Sequence, residues 1–186
     1  MPILDREIDL YPDDLLDREP GLDPEQAWWA VYTRSRHEKE LMRRLLKMHI
    51  GFYAPTISKR YKSPAGRVRN SFIPLFANYV FLHGSINDRY DAFTTNCVST
   101  IREIPNPKEL VHELRQIRDL INLQVPLLPE SRIQPGQRVR VKSGRLKGIE
   151  GTVLRRDREL RLLVAVNFIQ QGASLLLDDC ELEVVS

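Results

Sequence analysis

The sequence has few of the features that mark a secreted, membrane-spanning or disulfide-bonded protein. Its 186 residues include only two cysteines, Cys97 and Cys180, which lie far apart in the chain. A disulfide framework is therefore not expected, and the reducing cytoplasm is the expected compartment. No apolar run approaches the ~18 residues of a membrane-spanning helix. Residues 1–27 are too acidic and too rich in proline for a signal peptide.

The chain also lacks the motifs that accompany bond-making chemistry. The four histidines lack metal-ligand spacing, no glycine-rich loop ends in Gly-Lys-Ser or Gly-Lys-Thr, and no serine lies in a Gly-x-Ser-x-Gly setting. We therefore expect no enzymatic activity, no metal and no cofactor. A protein that works by binding is the expectation that remains.

The net charge of +3 conceals an uneven distribution along the chain. Residues 1–27 carry nine acidic side chains and two arginines, a net charge of −7, so the remaining residues carry +10. A basic body suits a polyanionic partner such as nucleic acid. The acidic leader (residues 1–27) is predicted to be a mobile tail that either aids solubility or masks the basic body.

The central part of the chain is predicted to form an α+β domain, in which helices flank an antiparallel sheet. Apolar periodicity and turn residues place this domain at residues 28–124 and a proline-containing linker at residues 125–135. The predicted strands lie at residues 28–33, 52–57, 71–82 and 98–103, and the predicted helices at 36–50, 87–96 and 108–124. A second, all-β domain is predicted at residues 136–186.

Four glycines separate the predicted strands of this second domain. Gly136, Gly144, Gly148 and Gly151 separate short runs of alternating apolar and charged residues, which predicts turns between half-buried strands and a small barrel. The pattern Gly-x-x-Val-x-Val-x-x-Gly-x-x-x-Gly-x-x-Gly-x-Val resembles the KOW module of transcription and ribosomal proteins. The resemblance implies a part in the nucleic-acid machinery.

The first domain resembles the amino-terminal domain of the NusG family of transcription factors. The resemblance rests on Trp-Trp-Ala-Val-Tyr at residues 28–32, Phe-Tyr-Ala-Pro at residues 52–55 and Pro-Leu-Phe-Ala-Asn-Tyr-Val-Phe-Leu at residues 74–82. Where the housekeeping members usually have Phe-Pro-Gly-Tyr, this chain has Phe-Ala-Asn-Tyr, which is similar to the RfaH-like antiterminators. That similarity also allows the KOW region to refold as a helical hairpin, and residues 160–166 suit either state.

The resemblance implies that one face of the sheet binds the clamp helices of RNA polymerase. The matching residues are aromatic and aliphatic: Tyr32, Leu75, Phe76, Tyr79 and Phe81. Since residues two apart on a strand share a face, Tyr79 and Phe81 point to the same side. The alternative is that these side chains fill the core. A second polymerase contact of the family matches residues 88–91, where this chain lacks the family's threonines.

Basic residues form a second group. Four cations fall at helical spacing: Arg36, Lys39, Arg43 and Lys47. Six residues lie around a Pro-Ala-Gly turn, which predicts a protruding hairpin: Lys59, Arg60, Tyr61, Lys62, Arg67 and Arg69. Such side chains bind phosphates without reading sequence, and Tyr61 is suited to stack on a base. The resemblance implies the non-template DNA strand as partner. The alternative for the helix is a solvated outer face.

The KOW resemblance implies a further partner, a small-subunit ribosomal protein or the termination factor Rho, which would bind at Phe168, Ile169 and Gln170. Phe168 is equally suited to the core. Together these features predict a monomeric transcription elongation or antitermination factor. The alternative is a ribosome-associated or RNA-binding KOW protein that uses the cations of its first strand and loop, which are Arg138, Arg140, Lys142, Arg145 and Lys147.

Overall fold

A computed structural model describes residues 6–178 and 180–186. Over these residues the chain forms three α-helices and thirteen short strands, and it divides into two compact units, Met1–Pro107 and Lys108–Ser186. The predicted fold class, an α+β region followed by an all-β region, is confirmed. The division between the units falls at the first residue of the third helix, whereas the predicted linker lies at residues 125–135.

The first unit is built on a five-stranded antiparallel sheet with a separate two-stranded sheet. Its elements are β1 (Leu10–Tyr11), β2 (Ala27–Thr33), α1 (Glu38–Lys47), β3 (Gly51–Tyr53), β4 (Thr56–Lys62), β5 (Val68–Pro74), β6 (Tyr79–Gly84), α2 (Ile86–Thr94) and β7 (Val98–Glu103). The main sheet has the order β1-β3-β6-β2-β7, and β4 pairs with β5 alone. Residues 71–82, predicted as one strand, therefore form two, because residues 75–78 leave the ladder between them.

One face of the main sheet packs against helix α1 in a buried cluster. Trp29 and Val31 of β2 and Val80 of β6 lie in one buried cluster with Leu41 and Leu45 of α1. These helix residues recur at a spacing of four, as an amphipathic helix requires. Helix α2 begins with a capping box in which Ser85 and Asp88 exchange hydrogen bonds.

Helix α1 is shorter than predicted at both ends. Arg36 precedes it with a positive φ of 63°, and His49 ends it with a φ of 56°. Gly51, which follows the predicted helix, does not end it, because α1 already ends at Lys47 and Gly51 belongs to β3. A Cβ atom there would lie 3.0 Å from the carbonyl oxygen of His83, so the glycine permits close approach of β3 to β6.

The prediction of a mobile leader is wrong for the residues that the structure describes. Leu10 and Tyr11 form strand β1 and pair with β3, and Leu15 and Leu16 are buried. Residues 1–5 lie outside the described residues. The error has a physical cause: composition averaged over 27 residues obscures a short apolar segment that finds a sheet edge and a core.

The second unit combines one helix with a six-stranded antiparallel sheet. Its elements are α3 (Pro107–Asn122), β8 (Leu128–Glu130), β9 (Arg138–Val141), β10 (Glu150–Arg156), β11 (Glu159–Val166), a 3-10 turn (Asn167–Ile169), β12 (Gln171–Leu176) and β13 (Leu182–Val184). The order is β13-β9-β10-β11-β12-β8, so the predicted linker contributes an edge strand. Gly144 and Gly148 have φ of 78° and 90°, as predicted for turn glycines. Residues 160–166, which the sequence allows either in a strand or in a helical hairpin, lie in strand β11.

Candidate functional surfaces

The first surface is the basic hairpin, which we define as residues 56–74. Strands β4 and β5 pair over seven residues, from Thr56 opposite Pro74 to Lys62 opposite Val68. The turn is closed by hydrogen bonds between Ser63 and Arg67, and Gly66 has a φ of 75°. The sequence predicted this turn from Pro-Ala-Gly, because glycine adopts a positive φ without steric cost.

The charge of the basic hairpin is uncompensated. Residues 56–74 contain no acidic side chain and five cations, all of them exposed, which are Lys59, Arg60, Lys62, Arg67 and Arg69. None of these five forms an ion pair with any residue in the described part of the chain. Exposed like charges on two paired strands raise the local potential and attract polyanions. The hairpin therefore presents a net charge of +5 on a narrow ribbon.

One side of the basic hairpin places an aromatic ring next to two cations. Because side chains alternate along a strand and cross-strand partners share a side, Lys59, Tyr61 and Arg69 lie on one side of the ribbon. Tyr61 is 45% exposed and lies directly opposite Arg69. An exposed ring next to two cations has the composition of a site that stacks a base and holds its phosphates.

The predicted cationic stripe on α1 is reduced. Arg36 lies before the helix, so it does not share the helical face. The guanidinium of Arg43 contacts two carboxylates, that of Glu40 at 2.7 Å and that of Glu7 in the leader at 3.1 Å. Lys39 and Lys47 remain on the helix with no partner among the described residues. This helix offers much less free positive charge than the basic hairpin.

The second surface is the tyrosine pair, Tyr32 and Tyr79. These residues face each other across β2 and β6, their ring centroids lie 5.2 Å apart at a steep angle, and Tyr32 is 41% exposed. The preceding residue Asn78 has a φ of 64° and donates its backbone N–H to the carboxylate of Glu38 at 2.8 Å. Asparagine adopts this conformation more readily than most residues, which explains how it replaces the usual glycine.

Three other residues predicted to bind polymerase are not available at the surface. Leu75, Phe76 and Phe81 are 2%, 1% and 0% exposed. The prediction of a five-residue exposed patch is therefore wrong for these three, for which the core alternative holds. Phe76 and Phe81 meet edge to face with centroids 6.3 Å apart. The tyrosine pair is what remains of the patch.

A third surface, on α2, was not predicted from the sequence as an apolar face. Ile86, Tyr90 and Phe93 are 50%, 59% and 39% exposed and share one side of the helix. The guanidinium of Arg89 lies 5.4–5.6 Å from the ring centroids of Trp29, Tyr90 and Phe93. The spacing of Ile86, Tyr90 and Phe93 was the signal that was missed. This face includes part of residues 88–91.

In the second unit, the predicted partner site lies at the 3-10 turn after β11. Phe168 is half-buried and Gln170 is exposed, but Ile169 is 6% exposed, so the prediction is wrong for Ile169 as an accessible contact. Gln170 has a φ of 54° and donates its side-chain amide to the carbonyl of Asn167 at 2.7 Å. The turn thus offers one half-buried ring beside one polar side chain.

The carboxylate of Glu113 on α3 holds this turn at its first residue. It accepts hydrogen bonds from the backbone N–H of Asn167 at 3.1 Å and from the side-chain amide of that residue. Burial raises the pKa of Glu113 to about 7; the backbone hydrogen bond from Asn167 opposes that rise, and the charge of Glu109 adds to it. Three residues on, Gln116 exchanges hydrogen bonds with the backbone of Glu150.

The described residues contain no cluster of histidine, cysteine and acidic side chains arranged to hold a metal ion. No helix in that part of the chain is long and apolar enough to cross a membrane.

Two family models match the chain. Residues 26–134 match the model described as transcription termination factor nusG, and residues 135–166 match the one described as KOW motif. The first match alone covers more than half of the 186 residues. A search of curated proteins finds no significant match.

Proposed function

Because this chain belongs to the NusG family of transcription factors and carries a KOW motif, we propose that it binds the RNA polymerase clamp and regulates pausing and termination during elongation. The observation that carries this proposal is that one compact unit holds both the tyrosine pair, with Tyr32 exposed and Tyr79 half-buried, and a cationic hairpin without ion pairs among the described residues. One surface suits a protein partner and the other suits nucleic acid.

The tyrosine pair is the proposed clamp contact. Tyrosine is among the residues that dominate binding energy at protein interfaces, because its ring buries a large area at little conformational cost. The two rings stand next to each other, so a helix of the partner can cover both at once. The exposed face of α2, with Tyr90 and Phe93, is the proposed second polymerase contact.

The basic hairpin is the proposed nucleic-acid contact, and the non-template strand of the transcription bubble is the proposed ligand. Its five cations have no ion-pair partners among the described residues, so phosphates meet no intramolecular competitor there. Tyr61 adds a stacking surface that tolerates any base. This mode of binding needs no base-specific hydrogen bond.

The proposed mechanism uses binding energy alone. A factor that binds the polymerase more tightly in its closed, elongating conformation than in its paused one shifts the population toward elongation. The extent of the shift is set by the difference in affinity between the two states. Phe168 and Gln170 in the second unit are then the proposed contact for a ribosomal protein of the small subunit or for Rho.

Titration of the full-length protein onto core RNA polymerase without nucleic acid tests the clamp contact. The double variant Tyr32→Ala/Tyr79→Ala should bind at least about thirtyfold more weakly, which corresponds to roughly 2 kcal/mol for hot-spot residues. Tyr61→Ala is the matched control, since Tyr61 has a similar exposure but lies on the hairpin. Unchanged affinity of a folded double variant would refute the clamp contact.

The alternative function, an RNA-binding or ribosome-associated KOW protein, has less support. Of the five cations on which it depends, Arg138 and Arg140 lie within 4 Å of the Glu150 carboxylate, and Arg145 donates to the carbonyl of Leu123 at 2.6 Å. These charges are therefore less available to phosphates than those of the basic hairpin. Capture of ribosomes but not of RNA polymerase from one lysate would favour the alternative.

A further inference from the structure

The basic hairpin joins the first unit at its root, by which we mean Thr56 and Pro74. Strands β4 and β5 pair with each other and with no strand of the main sheet among the described residues. The chain joins the ribbon to the main sheet through residues 54–55 and 75–78. A two-stranded ribbon has little stability of its own. Contacts at the root therefore decide the direction in which its cations project.

The leader makes those contacts. One carboxylate oxygen of Asp9 accepts hydrogen bonds from the backbone N–H of Thr56 at 3.1 Å and from its hydroxyl at 2.7 Å. Thr56 is 1% exposed, so its hydroxyl has no access to bulk water and depends on this acceptor. Asp9 thus binds the first residue of β4.

The other strand of the hairpin is contacted by the same segment of the leader, residues 6–9. Arg6 donates to the Asp9 carboxylate at 2.8 Å, and its guanidinium lies 5.6 Å from the ring centroid of Phe72 on β5. Asp9 and Arg6 therefore contact both strands of the ribbon from one side. Directly after Asp9, strand β1 pairs with β3 of the main sheet. The leader joins the hairpin root to the sheet.

We propose that Asp9 is a positioning residue for the basic hairpin, which it holds at a fixed angle to the main sheet so that the cations and Tyr61 are preorganised for a single nucleic-acid strand. The benefit of such preorganisation is entropic: a ribbon that is already ordered loses less freedom on binding. The nucleic-acid part of this proposal rests on the proposed function. The positioning part does not.

Backbone dynamics of the full-length protein test the positioning directly. In the parent, order parameters of the β4 and β5 amides should match those of β2 and β6, at about 0.85. Asp9→Ala should lower the hairpin values to below about 0.6 while the β2 and β6 values stay unchanged. Asp9→Asn should largely restore them, because the amide oxygen still accepts from Thr56. Asp14→Asn is the matched control, since it removes the same charge from the leader at an ion pair with Arg18.

Affinity for single-stranded DNA provides the second readout. Asp9→Ala should bind about tenfold more weakly than the parent, in line with lost preorganisation, and its salt dependence should be unchanged because every hairpin cation is still present. Should Asp9→Ala fail to fold, Thr56→Val removes the hydroxyl donor alone and should shift both readouts in the same direction.

Unchanged hairpin order parameters in Asp9→Ala, or an equal change in Asp14→Asn, would overturn the proposal. If the parent itself binds no single-stranded DNA, the proposed nucleic-acid contact fails, while the order parameters still decide whether Asp9 positions the hairpin. The two failures are therefore distinguishable.

Discussion

Replacement of Glu113 by glutamine should remove a pH dependence from the stability of the second unit. Glu113 is 6% exposed, and burial raises the pKa of its carboxyl from 4.5 to about 7. In the unfolded chain the carboxyl returns to an ordinary pKa. Between these two values the folded state holds more protons than the unfolded state, so the free energy of unfolding falls as the pH rises.

The size of this effect follows from the difference between the pKa of Glu113 in the unfolded chain, 4.5, and its pKa in the folded protein, about 7. At about 1.4 kcal/mol per pH unit, the parent should lose at most about 3 kcal/mol of stability over that interval. The stabilising contribution is fully present below pH 4.5 and is lost above about pH 7. The glutamine side chain of the Glu113→Gln variant cannot ionise, so the unfolding free energy of that variant should change much less over the same interval.

The assay must report on the second unit by itself. All eight tryptophan and tyrosine residues precede residue 91, so intrinsic fluorescence follows the first unit. Unfolding by urea should instead be measured at about pH 5, near the lower end of the interval, and at about pH 8, above it. The methyl NMR signals of Leu162 and Val164, which are buried in β11, report on the second unit. Glu181→Gln, at an exposed carboxyl, is the control. The reasoning is refuted if Glu113→Gln keeps the parent's pH dependence.

Two further predictions concern the first unit. Leu16→Ala should lower the unfolding free energy of the first unit by about 2–5 kcal/mol, because Leu16 is fully buried. Unfolding followed by the fluorescence of Trp28 and Trp29 measures this loss, and an unchanged midpoint would mean that the leader is a free tail. In the double variant Lys59→Glu/Arg69→Glu, the slope of log affinity for single-stranded DNA against log salt concentration should become shallower by at least about 1.4, which is about 0.7 for each phosphate that the variant no longer neutralises. Equal slopes for variant and parent would mean that these cations do not contact the DNA.

Local signals in the sequence predicted most of the fold. Helix α3, the basic hairpin and the turn glycines Gly144 and Gly148 follow from periodicity and from residues that favour turns. The burial of Leu75, Phe76 and Phe81 was not predictable in this way. A strand pattern shows which side chains share a face of the sheet, but whether that face is covered depends on tertiary packing, to which aromatic residues contribute in cores and interfaces alike.

The sites were harder to predict than the elements. The exposed cations of the hairpin could be predicted as a group because a run of charges around a turn is itself a local signal. The contact of Asp9 with Thr56 spans 47 positions in the chain, and that of Glu113 with Asn167 spans 54. No spacing rule links such residues, since the topology alone brings them together.

The acidic charges of the leader mask little of the basic body, because some of them pair within the leader. Its balance of −7 against +10 suggested that it either aids solubility or masks the basic body, yet Asp14 pairs with Arg18 and Asp9 with Arg6 inside the leader itself. From the leader to the basic body, Glu7 forms an ion pair with Arg43 at 3.1 Å, and the Arg43 side chain is half exposed. Masking by this pair is confined to one cation of α1. Glu7→Gln should raise affinity for single-stranded DNA only slightly at low salt and not at all at high salt, because exposed pairs are weak and screened. A gain of about tenfold or more, far beyond what an exposed pair contributes, would show that the leader covers the hairpin as well.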